Sequence, residues 1–245
     1  MQETIRHYGE ALAPFDLKKF NGNIIDPVKL VFDKSVYGYT WEELIQNEIF
    51  RQRDKANNNA IGYFHQYIFK YMKDCTVPQA GWDVILDGEK KLPDCGTVHR
   101  IYVEMKNKHN TMNSASSAKT YMKMQGQLLR DDDCACLLVE AIAKRSQNIT
   151  WEVTLDKVKQ KHRRIRRVSM DRFYALVTGE TDAFYQLCMT LPAYIEQALS
   201  REEEIALPKD SVLGELQDLA ERENGSLLLA LYMLGFSSYL GFQNK

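Results

Sequence analysis

At 245 residues, with 44% apolar and 27% charged side chains, the chain has ordinary globular composition. It is long enough to bury a full core without disulfide or metal staples, as one large domain or two small ones. Its net charge of −1 excludes overall charge as a guide to any partner. The five cysteines (Cys75, Cys95, Cys134, Cys136 and Cys188) contain no CxxC pair, and the histidines show no HxxxH or HExxH spacing, so the usual zinc patterns are missing. The expectation is of reduced, mostly buried structural thiols in a cytoplasmic protein, because the N-terminus has no basic-then-apolar signal segment. No membrane span is expected. The most apolar tract, 226–242, is slightly short for one and is interrupted by Gly and Ser, so it reads as a packed helix.

In chain order, residues 1–40 read as irregular, punctuated by "NGN", "DP" and "YGY". Thr40-Trp41-Glu42-Glu43 is a capping box and predicts a helix over about 41–53. "NNN" at 57–59 separates it from a second helix, "AIGYFHQYIFKYMK", with Ile61, Phe64, Ile68 and Tyr71 at helical spacing. Two strand-like runs follow, "GWDVIL" and "HRIYVEMK", with a turn-rich segment of roughly 88–97 between them. "NTMNSASSAK" reads as a polar loop leading into the helix "AKTYMKMQGQLLR". "CACLLVEAIA" is a continuous apolar run, the pattern of a buried central strand, and "ITWEVT" is a further strand. "HRRIRRVS" reads as extended, Ser169 as the cap of a helix through "MDRFYALVTG" closed by Gly179, and the remaining segments as helices. The sum is a single α/β domain over 1–245, a small mixed sheet in mid-chain with helices before and after it.

The two strand-like runs carry Asp83, Glu104 and Lys106, although charges are costly to bury unpaired. Glu104 and Lys106 are two apart and share a face, which leaves Met105 to the core. If the runs pair antiparallel, Asp83 falls near the Tyr102–Glu104 end, within about 4.5–8 Å of opposed or diagonal neighbours. Two carboxylates that close repel, and a hard divalent cation relieves the repulsion; Mg²⁺ favours carboxylates, waters and phosphate oxygens. Lys106 beside it could position or deprotonate a water and steady developing negative charge. Taken alone, Glu104 and Lys106 also read as an exposed cross-strand ion pair. Pro93-Asp94, with nine residues between Asp94 and Glu104, competes with Asp83 for the role of first acid. Asp83 is preferred because it sits in an apolar run, whereas Asp94 lies among turn residues.

An Asp on one strand followed by Glu-x-Lys on the next resembles the PD-(D/E)xK nuclease superfamily. The longer string "VEMKNKHNTMNS", with "GWDVI" before it and "HRRIRR…FYALVTG" after it, looks like the type II restriction endonucleases that cut GGNCC-type sites. The similarity covers about 41–198, which implies a catalytic core there and a helical part over about 199–245. It further implies a mixed central sheet flanked by helices, dependence on Mg²⁺, a homodimer, and hydrolysis of double-stranded DNA at a short palindrome. On this resemblance Asp83 and Glu104 hold the metal and Lys106 serves the water. Glu48 is a candidate further acid, for which an exposed helix face is an equally open reading, and Asp94 stays the alternative ligand. A repair or junction-resolving nuclease, or an inactive DNA-binding protein, are the competing functions; the intact Asp, Glu and Lys argue against the last.

The loop after Lys106 offers Asn107, Lys108, His109, Asn110 and Asn113 to a DNA groove, and the next helix offers Lys119 and Lys123. Lys108 is the first candidate for a base contact. Between Lys157 and Arg167 the run "KVKQKHRRIRR" has seven Lys or Arg and no acid. Such charges repel unless phosphates neutralise them, so Arg163, Arg164, Arg166 and Arg167 are expected on the DNA backbone, with a solvated face as the alternative. His65 reads as a core or interface histidine rather than a base.

Overall fold

The computed structural model describes residues 2–109, 111–200, 209–223 and 225–236. In chain order its elements are helices α1 (Gln2–Leu12), α2 (Leu17–Asn21), α3 (Pro27–Tyr37) and α4 (Trp41–Tyr67), a 3₁₀ turn at Ile68–Tyr71, and strands β1 (Cys75–Thr76), β2 (Val84–Leu92) and β3 (Gly96–Lys108). Then come α5 (Ser114–Leu128), β4 (Cys134–Ile142), β5 (Asn148–Leu155), β6 (Val158–Ser169), α6 (Met170–Thr178), α7 (Ala183–Leu199), α8 (Val212–Arg222) and α9 (Leu227–Phe236). They divide into two compact units, one of Ile61–Ser200 and one of residues 2–60 with those described beyond 208.

The second of these units is helical, including the stretch expected to be irregular. Its punctuation marks helix ends. Asp16 and Asp26 cap α2 and α3 by accepting the N–H of Lys19 (2.6 Å) and Lys29 (3.0 Å). Pro27 starts α3 without losing a needed donor, and Gly38, at φ +69°, closes it in the left-handed region. Phe15, Phe20, Ile25, Leu30, Leu44, Ile45 and Ile49 bury against Val212, Leu216, Ala230 and Leu231. The capping box forms as read: Glu43 N–H donates to Thr40 Oγ1 (3.2 Å), and Thr40 N–H donates to Glu43 Oε2 (2.8 Å). α4 does not break at 57–59, however. Asn58 Nδ2 donates to Asp54 Oδ2 one turn back (2.8 Å), a local bond that keeps this residue compatible with the helix. Asparagine is a weak helix former, not a stop. The division between units falls within α4, after Ala60.

The other unit is built on a six-stranded mixed sheet in the order β1-β2-β3-β4-β6-β5. β1, β2 and β3 pair antiparallel, β4 runs parallel to both β3 and β6, and β5 returns antiparallel on β6. The apolar run of β4 is buried from Cys134 through Glu140, as a strand with partners on both edges and cover on both faces must be. One face packs Val84, Leu86, Ile101, Val103, Leu137, Val139 and Val168 against Phe173 and Tyr174 of α6. The other packs Cys136, Leu138, Ile165 and Trp151 under Tyr121 and Met124 of α5. Burying each large apolar side chain contributes about 1.5–3 kcal/mol. α5 starts earlier than expected: Asn113 accepts the N–H of Ser116 (2.8 Å), and the small residues after it are helix rather than loop. Ser169 stands at the cap position of α6, but its hydroxyl bonds the Asp171 side chain and the Gln147 carbonyl rather than a helix N–H; Gly179, at φ +83°, closes the helix as read. Two cysteines are buried, Cys75 and Cys95 are half-buried, and Cys188 is exposed. Among the described residues no helix is long and apolar enough to cross a membrane; residues 237–242 of the apolar C-terminal tract lie outside them.

Candidate active site

The β2–β3 register pairs Val84 with Val103 and Ile85 with Tyr102, and one further step sets Asp83 opposite Glu104. Asp83 N–H donates to the Val103 carbonyl (3.0 Å), and its Oδ2 accepts the N–H of Met105 (2.7 Å). Gln66, near the end of α4, donates Nε2 to the Asp83 carbonyl (3.1 Å). Asp83 is therefore fixed through both backbone and side chain. Glu104 and Lys106 share a face as their spacing requires, with Lys106 Nζ 2.9 Å from Glu104 Oε1, while Met105 packs into the core on the opposite face. Lys123 of α5 takes the other oxygen: its Nζ lies 2.7 Å from Glu104 Oε2. It also donates to the Gly81 carbonyl and stands 4.0 Å from the centre of the Trp82 ring. Expected as a groove contact, Lys123 is in fact a member of this cluster.

The surroundings push the two acids apart in acidity. Burial raises the Asp83 carboxyl above its ordinary range and the Glu104 charge adds to this, with Met105 N–H and the two lysines pulling the other way. Burial also raises Glu104, but Lys123 and Lys106 outweigh it and hold this carboxyl below its ordinary range.

Asp94 does not join them. It is exposed, at φ +58°, in the turn closed by the Leu92–Gly96 pair. Glu104 lies eight residues beyond Gly96 along β3, about 27 Å at strand rise. Glu48, in the helical unit, is 5% exposed and not on an open face; it is tied to Arg51 (2.5 Å) and Gln52 (3.0 Å). Among the described residues no three His, Cys, Asp or Glu side chains gather to hold a metal. The donor set at Asp83 and Glu104 is therefore two hard carboxylates without sulfur or imidazole. That fits Mg²⁺, which keeps most of its waters and takes one or two carboxylates; it is neither a zinc site nor a closed protein cage for calcium, and an open pair of carboxylates can take Ca²⁺ in place of Mg²⁺.

The residues expected on DNA separate into two groups. Lys108, Lys119 and Arg163 are exposed, and Arg164, half-buried, donates to the Asp132 carbonyl. His162, Arg163 and Arg164 line a cleft of about 630 Å³ against the end of α5. Asn107 packs under Gly62, where an added Cβ would come within 3.3 Å of its Oδ1. Asn113 is spent as the α5 cap. Asn110 lies outside the described residues. Arg166 corrects the expectation: it is 1% exposed, and its guanidinium donates to Asn148 Oδ1 (2.5 Å) and O (2.7 Å). Arg167 donates Nε to Glu140 Oε1 (2.9 Å) and Nη2 to the His109 carbonyl (3.0 Å). The His109 ring lies 3.1 Å from Glu140 Oε2. The cause is topological. Before Ile165 the basic run forms an outlying hairpin with β5, and from Ile165 onward β6 is enclosed between β4 and β5. Glu140 itself was missed, an acid hidden in an apolar run whose partners lie on β6 and just past the end of β3. His65 is half-buried, and burial lowers the pKa of its ring, which suits a neutral structural histidine.

A sequence model of the Eco47II restriction endonuclease family matches residues 1–200. The type II restriction enzyme Sau96I of Staphylococcus aureus is 29% identical over 96% of this chain and 91% of its own length. The type II restriction enzyme Eco47II of Escherichia coli is 28% identical over 75% of this chain and 77% of its own. No solved structure gives a significant match. With the family match spanning most of its length, the chain belongs to the Eco47II restriction endonuclease family.

Proposed function

We propose that this restriction endonuclease has a PD-(D/E)xK core and uses Mg²⁺ to hydrolyse double-stranded DNA at a short palindrome of the GGNCC type. The carrying observation is the meeting of Asp83, Glu104 and Lys106 at the start of β2 and on β3. Asp83 and Glu104 hold the cation. When bound, Mg²⁺ acidifies a water and stabilises charge on a phosphoryl oxygen. The Met105 N–H keeps Asp83 Oδ2 oriented, and Gln66 fixes the backbone beneath it. Lys106 orients the attacking water and offers its ammonium to the charge that grows on the phosphate. Lys108, exposed at the end of the catalytic strand, and Lys119, exposed on α5, supply donors for guanine acceptors; Arg163 and Arg164 meet the phosphate backbone.

A palindrome calls for two-fold symmetry in the protein, so the enzyme acts as a homodimer. α7 supports this reading: over 17 residues it has one acid and no basic residue, and it exposes Tyr185, Met189 and Tyr194. An exposed thiol at Cys188 suits the reducing cytoplasm, where we place the protein. Plasmid digestion with Mg²⁺, followed by sequencing of the ends, tests the proposal. Discrete fragments ending in a GG…CC frame are expected. Structure-selective nicking would point instead to a repair nuclease, and ends outside that frame would overturn the target assignment.

A further inference from the structure

We propose that Lys123 is an interlock that makes divalent cation and DNA load together: it occupies Glu104 Oε2 in the free protein and is drawn off by an arriving phosphate. The inference rests on the reading of Asp83 and Glu104 as metal ligands.

In the free protein both oxygens of Glu104 are engaged. Lys106 Nζ is 2.9 Å from Oε1 and Lys123 Nζ is 2.7 Å from Oε2. Two carboxylates face two ammonium groups, so the cluster is neutral and offers a cation little net attraction. The lysines are not equivalent. Lys106 shares the strand and face of Glu104 and stays beside it whatever binds. Lys123 arrives from a separate element at the end of a flexible stem. Its other holds, the Gly81 carbonyl and the Trp82 ring, are uncharged. An ammonium is a compact point charge without the fixed fork of a guanidinium, so it can exchange one oxygen for another. About a third of its side chain is exposed, and a phosphate oxygen of the polyanionic substrate competes with Glu104 Oε2 for its ammonium. When Lys123 moves there, Glu104 regains a free oxygen and the cluster gains net negative charge. Linkage makes the effect reciprocal: whatever DNA does for cation affinity, the cation does for DNA affinity.

Calorimetric Ca²⁺ binding to the full chain tests this, with and without a short duplex carrying the sequence at which the enzyme cuts. Lys123→Met in the free protein is expected to bind Ca²⁺ about two- to fivefold tighter than the parent, the equivalent of one partly exposed ion pair. Lys123→Arg, whose fork holds a carboxylate more firmly, is expected to bind it more weakly. Adding duplex should tighten Ca²⁺ binding in the parent and do so much less in Lys123→Met. Equal or weaker Ca²⁺ affinity of free Lys123→Met overturns the interlock, as does a parent whose Ca²⁺ affinity ignores DNA. Glu104→Ala separates the two readings. If it binds Ca²⁺ as the parent does, the metal-ligand assignment fails; if it loses binding while Lys123→Met gains none, the interlock alone fails. Thermal unfolding of Lys123→Met within a few degrees of the parent shows that its binding data report on a folded protein.

Discussion

Glu104 and Glu140 lie on adjacent parallel strands, for Lys106 is paired with Glu140 in register, and each acid has two basic partners. Their settings differ. Glu140 is 1% exposed, and the Arg167 guanidinium grips one of its oxygens while the His109 ring meets the other. Glu104 is 18% exposed and is held by two ammonium groups. A guanidinium fixes direction as well as charge, which suits a sealed joint. Ammonium groups supply charge without fixed direction, which suits an oxygen that must be released. The sealed cluster joins the end of β3 to β4 and β6; the open one is the proposed metal site. Acid and base content alone would not tell them apart.

Substitutions in the open cluster should show the largest effect, and it should fall on rate. Glu104→Ala is expected to lower cleavage by about a thousandfold or more, since it removes metal-derived stabilisation worth several kcal/mol. DNA binding without metal should survive. Asp83→Asn should do likewise, while Asp94→Asn, far along the hairpin, should cut at close to the parental rate. Plasmid-cleavage rates check all three, and an Asp94→Asn enzyme slower than Asp83→Asn would reverse the assignment. In the sealed cluster the loss should fall on stability: Glu140→Ala leaves Arg167 without its counter-charge and should cost about 3–5 kcal/mol in denaturant unfolding. A Glu140→Ala protein as stable as the parent would erase the contrast. The basic run allows a finer comparison. Arg163→Ala with Arg164→Ala should flatten the slope of log affinity against log salt by about one unit per lost phosphate contact. Arg166→Met should leave that slope unchanged, because its guanidinium is already enclosed. The smallest effect is on pH. Asp83 is raised by burial, so its ionised form is penalised in the fold. That penalty is present above its folded pKa and vanishes as pH falls through it. Metal-free Asp83→Asn should thus gain stability over the parent at neutral pH and lose the advantage in acid, as paired thermal unfolding curves will show.

Much of the site was legible because it depends on a period of two and one antiparallel pairing. Asp83 in an apolar run and Glu104 with Lys106 on one face follow from those alone. The helix boundaries before residue 40 were written in the sequence as caps, yet Asp-Pro and Gly were read as breaks because the same residues serve both purposes. Lys123 was visible only as one of two lysines on a helix; its place at Glu104 depends on how α5 crosses the sheet. Arg166 and Glu140 were out of reach for a similar reason. Nothing local distinguishes a strand arginine that faces solvent from one enclosed by a neighbouring strand.

The strand order has a kinetic consequence. Asp83 and Glu104 sit in one hairpin closed by the turn at Pro93–Cys95, a connection that forms in about 1–10 μs in isolated hairpins. Lys123 can reach them only after α5 has crossed over to let β4 align parallel with β3, a slower non-local step. The candidate site is thus expected to assemble in sequence, carboxylates first and their second ammonium last. Pulsed hydrogen exchange during refolding should protect the Asp83 and Met105 amides ahead of those in β4.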